Sequence, residues 1–154
     1  MELLRDRDYF KLYLDGDVLI VQVSNTENTP VFDHQALEQM LETIRDLVEE
    51  QRLTQRQWYA IYDFSELIQF KSTAIIPLAN FFRWARAHGR RKTAFIMPVL
   101  AKRSELSLMA RVFFSLVEQF TLGREDHHSA QTIADARRWI DLTRRLAPTA
   151  TRNS

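Results

Sequence analysis

Residues 9–23 read YFKLYLDGDVLIVQV. Two runs rich in aromatic and β-branched residues, 9–14 and 17–23, flank the pair Asp15-Gly16. That pair favours a two-residue type I′ hairpin turn, so the stretch predicts two antiparallel strands. From Val18 onward the second strand is apolar on both of its faces, with only Gln22 interrupting. Such a strand belongs well inside a sheet, covered on both sides.

Outward from this hairpin the chain alternates. The turn-rich loop SNTENTPVF (24–32) follows, and Asp33 is placed to cap a helix reaching about Arg52. Leu37, Met40, Leu41, Ile44, Leu47 and Val48 recur at helical spacing, while Glu38, Glu42, Arg45 and Glu49 take the wet side. WYAIY (58–62) reads as a buried strand ending at Asp63. A second helix over 73–88 stops near Gly89, and KTAFIM (92–97) forms a further strand closed by Pro98. A third helix opens near Ser104, with Phe113, Phe114 and Phe120 among its apolar residues. TLGREDHHSAQ (121–131) has room for a short strand, and Thr132 with Asp135 resembles a capping box opening a last helix through Leu146. The order β-β-α-β-α-β-α-(β)-α predicts an α/β fold, a mixed sheet of four to five strands with about four helices. One domain over 1–147 is expected, followed by a loose tail at 148–154.

At 154 residues, 45% of them hydrophobic, the chain is long enough to bury a core of its own. The lack of Cys excludes disulfides, thiolate zinc sites and cysteine nucleophiles together. Three Gly are too few for a phosphate loop or a dinucleotide fingerprint. No apolar run approaches the roughly 20 residues that span a bilayer, and charges interrupt the start MELLRDRDYF. No membrane insertion and a cytoplasmic location are therefore expected. Residues 1–70 hold 6 Lys/Arg against 14 Asp/Glu, and residues 71–154 hold 15 against 6. This asymmetry either gives one face a positive field or vanishes where the two halves interleave.

The stretch DFSELIQFKSTAI (63–75) resembles the strand end and helix opening of the STAS domain, the family of bacterial anti-sigma factor antagonists. The family commonly shows an Asp ending a strand, a small or polar residue two on, then Asp-Ser-Ser/Thr-Gly opening a helix. Asp63 and Ser65 match the first part, and Ser72 and Thr73 the middle of the second. TIADARRWI and FDHQALEQM are similar to the openings of the family's last and first helices. Lys71 stands where the family usually has Asp, Ala74 where it has Gly, and Pro77 falls in the first helical turns.

The resemblance implies a non-enzymatic regulatory module with no cofactor. Its partner would be a protein: a serine kinase that is also an anti-sigma-type regulator, or a phosphatase. Ser72 and Thr73 become phosphorylation candidates, and Asp33, His34, Asp63, Ser65, Lys71, Ser72 and Thr73 the partner-binding residues. Phosphate adds about −1.5 to −2 charges at such an interface, which drives the partners apart. Lys71 could pair with that phosphate and weaken the repulsion. Ser72 acting only as a helix cap is the plainer alternative. A small-ligand sensor for a nucleotide, lipid or cofactor, or a homodimerisation module, are the other readings.

The remaining polar features favour structural roles. His127 and His128 are adjacent, so on a strand they point to opposite faces and do not share a metal. His88 suits the negative end of a helix dipole. RWARAHGRRK (83–92), with Trp84, could bind nucleic acid, but a cation-rich helix end facing water is the simpler reading, and no nucleic acid is expected.

Overall fold

The computed structural model describes residues 1–69, 71, 75–96 and 127–146. Six strands form one sheet whose spatial order follows the chain: β1 (Glu2–Asp6), β2 (Phe10–Asp15), β3 (Val18–Ser24), β4 (Trp58–Glu66), β5 (Arg90–Ile96) and β6 (His127–Ala130). β2 runs antiparallel to both of its neighbours, β1 and β3, while β3, β4, β5 and β6 are parallel. The described helices are α1 (His34–Glu50), α2 (Ile75–Ala87) and α3 (Ile133–Leu146), with a short 3₁₀ turn at Leu53–Gln55.

Strand alternation divides the core into two layers. Leu19, Val21 and Val23 of β3 face α1 and α2, together with Trp58, Ala60 and Tyr62 of β4. Val18 and Ile20 face the opposite side, where Tyr59, Ile61, Ala94 and Ile96 meet Ala136 and Ile140 of α3. β3 is thus covered on both faces, as its uninterrupted apolar run requires. α1 buries the seven residues Ala36, Leu37, Met40, Leu41, Ile44, Leu47 and Val48 in one stripe. Its start is fixed by Asp33, whose carboxylate accepts from the Ala36 amide at 2.9 Å, a cap worth about 1 kcal/mol.

The sequence reading needs four corrections. The sheet has six strands, not four to five. The additional one is β1, an edge strand with a register shift between Leu3 and Arg5 and an Arg5–Glu50 ion pair tying it to α1. The hairpin turn has positive φ at Gly16 but not at Asp17, which is the II′ pattern and not I′. β4 continues past Asp63 to Glu66, because its pairing with β3 slips from Gln22↔Asp63 to Ser24↔Glu66 through a bulge. β5 begins at Arg90, two residues before the expected Lys92. The helix expected from Ser104, with Phe113, Phe114 and Phe120, lies outside the described residues, as does the tail after Leu146.

An aromatic cluster under α2 closes the larger layer: the Tyr62 ring lies 5.6 Å from both Phe82 and Phe95. The Tyr62 hydroxyl is buried and has no hydrogen-bond partner among the described residues. Burial pushes its phenol above the usual tyrosine range, with the Arg90 charge pulling the other way. Each such ring pair adds about 0.5–1.5 kcal/mol beyond the area it buries.

Candidate functional site

Parallel strands place their following loops at one end of the sheet, where α/β proteins gather functional residues. Here the loop after β3 (residues 25–33) and the loop after β4 (67–71) meet, and their backbones are bonded together. The Phe32 amide donates to the Gln69 carbonyl at 2.9 Å, and the Lys71 amide donates to the Phe32 carbonyl at 3.0 Å. Asn25 completes the joint. Its carboxamide oxygen accepts from the amides of Ile68 (2.6 Å) and Gln69 (3.0 Å). Its nitrogen donates to the carbonyls of Gln69 (3.0 Å) and Pro30 (3.2 Å).

The β1–β2 turn supports this surface from below. Asp8 accepts from the hydroxyls of Thr26 at 2.7 Å and Thr29 at 3.1 Å, and the Ser24 amide donates to the Tyr9 carbonyl at 2.9 Å. The Tyr9 hydroxyl donates to the Ala36 carbonyl at 2.6 Å, fastening the first turn of α1. Burial, then the charges of Asp33 and Asp8, push the Tyr9 phenol up to about 12. Phe32 fills the space beside Tyr9, ring centres 6.1 Å apart, and is 3% exposed. The loops are therefore anchored from within while Ile68, a large apolar side chain, stands 49% exposed on top.

The seven sequence-predicted partner residues distribute unevenly over this end. Asp33 is a half-buried helix cap, and the adjacent His34 is exposed, its ring nitrogen 3.5 Å from the Glu38 carboxylate. Lys71 is exposed and joined to Phe32 through its backbone. These three share the stitched loops. Asp63 and Ser65 instead line a cavity of about 260 Å³ with Arg7, Lys11, Gln22 and Glu66. There Asp63 accepts from the Ser65 amide at 3.0 Å, covering a donor that the bulge in β4 withdraws from the ladder, and from Gln22 at 3.4 Å. Ser72 and Thr73 lie outside the described residues.

The other sequence candidates resolve individually. His127 lies 5.9 Å from Phe95 while His128 stacks on Trp139 at 4.9 Å, so the two rings occupy opposite faces. Among the described residues no group of three or more His, Asp or Glu could hold a metal ion, and no helix is long and apolar enough to cross a membrane. His88 sits after α2 with its Nδ1 2.7 Å from the Trp84 carbonyl, at the helix's negative end. The Trp84 ring stacks on His88 at 4.5 Å and on Phe81 at 5.7 Å, and the Arg45 guanidinium lies over it at 5.7 Å.

Sequence reasoning placed Asn25 inside the turn-rich loop 24–32 but missed its role. It also missed Asp8, Tyr9 and Ile68. Asn in a turn-rich loop signals local hydrogen bonding, but nothing local points to acceptors and donors more than 40 residues ahead.

No protein-family model and no curated protein matches the chain. Among solved structures it is similar to the anti-sigma factor antagonist SpoIIAA in its unphosphorylated form, at 18% identity and a TM-score of 0.42, over 67% of this chain and 96% of that one.

Proposed function

We propose that the chain is a non-enzymatic regulatory module that docks reversibly on a protein partner through the surface of loops 25–34 and 66–71. The observation that carries this reading is the four-bonded Asn25 joint, which fixes two separate crossover loops as one surface with Ile68 exposed upon it. A preorganised surface loses little entropy on docking, and an exposed apolar side chain ringed by polar groups is the pattern of a contact residue. His34, Gln69 and Lys71 of the same loops are exposed polar residues.

In the finer form of this proposal Ser72 or Thr73, next to Lys71, is phosphorylated by a serine kinase of the anti-sigma-regulator type, and a phosphatase reverses it. The added charge falls beside a surface that the partner must desolvate, so the complex separates. Lys71 moderates that effect by pairing with the phosphate. The test is incubation with MgATP and a serine kinase of the anti-sigma-regulator type, followed by mass spectrometry. A phosphate on Ser72 or Thr73 is expected. Unmodified hydroxyls, with the kinase active on a control substrate, remove the switch and leave docking alone to be tested.

A further inference from the structure

We infer that a hollow at the opposite end of the sheet, between residues 54–57 and 86–92, binds a compact oligophosphate anion. Its volume is about 640 Å³, within the range of roughly 300–1,000 Å³ that small-molecule sites occupy. Arg56, Arg86, Arg90, Arg91 and Lys92 line it with Thr54, Gln55 and Gln57, and no Asp or Glu is among its described lining residues.

Two features build this site. The walls are locked together: Trp58 donates from its amide to the Gly89 carbonyl at 3.0 Å and from its indole to the His88 carbonyl at 2.9 Å. Gly89, at φ +98°, comes so near that an added Cβ would lie 2.6 Å from the Arg56 carbonyl oxygen. The second feature is a bulge. Trp58 pairs with Arg90 but Tyr59 pairs with Lys92, so Arg91 is an extra residue in β5. The bulge lets Arg90 turn inward and bond Thr93, three positions on, while the consecutive Arg91 and Lys92 both line the hollow.

The ligand class follows from charge and from what is missing. Arg56 and Arg91, one on each wall, are exposed and form no ion pair among the described residues. Several like charges lining one hollow favour an anion carrying several charges over a single carboxylate. Guanidinium groups match phosphate oxygens in pairs, and the neutral amides of Gln55 and Gln57 can donate to the rest. A single nucleic-acid strand fits less well, because the nearby Trp84 ring is already engaged in stacking on His88 and Phe81.

The test is calorimetric titration of the intact chain with sodium tripolyphosphate and, separately, with a nucleoside triphosphate, at low and at physiological salt. Saturable binding of both is expected, weakening with salt. Arg56→Gln and Arg91→Gln should each cost about tenfold in affinity, the loss of one charge-assisted contact, with an unchanged melting temperature. Arg83→Gln, on α2 outside the hollow, should leave binding intact. The inference is overturned if the folded wild-type chain binds neither anion, if Arg83→Gln weakens binding as much as Arg56→Gln does, or if only an oligonucleotide binds.

Discussion

Replacing Asn25 by Ala removes the joint between the two loops without touching the core. The side chain makes four hydrogen bonds to backbone groups of Pro30, Ile68 and Gln69. All of these groups lie near water, so solvent takes over part of each bond and the low end of the usual range applies. At about 0.5 kcal/mol apiece the four bonds give a destabilisation of about 2 kcal/mol. For a domain of this size that lowers the melting temperature by about 6 °C. Asn25→Asp keeps the oxygen that accepts from Ile68 and Gln69 but loses both donated bonds, so its cost should be near half. Urea unfolding with an unchanged slope measures the stability, and hydrogen exchange at the Ile68 and Gln69 amides measures the joint itself. Both amides should exchange faster in Asn25→Ala. A change in stability below 0.5 kcal/mol, or amides as protected as in the wild type, would refute the reasoning.

Gly89→Ala places a Cβ against the Arg56 carbonyl in a backbone conformation that disfavours side chains, and should destabilise by about 2 kcal/mol in a urea titration. The same titration should detect Tyr9. Its folded-state value near 12 exceeds the ordinary 10.0, so the unfolded chain ionises first as pH rises. The stability it contributes is complete below pH 10 and is lost between pH 10 and 12. Tyr9→Phe should flatten that decline relative to the wild type, and parallel curves for the two proteins would contradict the assignment.

Much of the fold was readable because local and tertiary preferences agree. The unbroken apolar run of β3 announced a strand covered twice, and the periodic stripe of α1 announced its buried face. Asp33 and Thr132 stood where capping needs them, and the Asp135 amide does donate to the Thr132 hydroxyl, at 3.1 Å. What escaped depends on partners far along the chain. The segment Glu2–Asp6 has neither alternation nor β-branching, and becomes a strand through backbone pairing with β2. The bulges in β4 and β5 are adjustments of one strand to its neighbour, with no composition of their own. The candidate surface was half legible. Its loops could be placed from turn residues and from the resemblance, whereas Asn25 is explained only by its contacts with Ile68 and Gln69. Asp63 and Ser65 were grouped with Lys71 through the family resemblance, and the bulge places them in a separate cavity.

The account rests on a partner recognising the joined loops, and hydrogen–deuterium exchange on the chain mixed with a serine kinase of the anti-sigma-regulator type reads that surface directly. Protection concentrated in residues 25–34 and 66–71, with complex formation abolished by Ile68→Glu at an unchanged melting temperature, is the predicted result. Full-strength binding by a folded Ile68→Glu chain, with protection elsewhere on the sheet or helices, would contradict it.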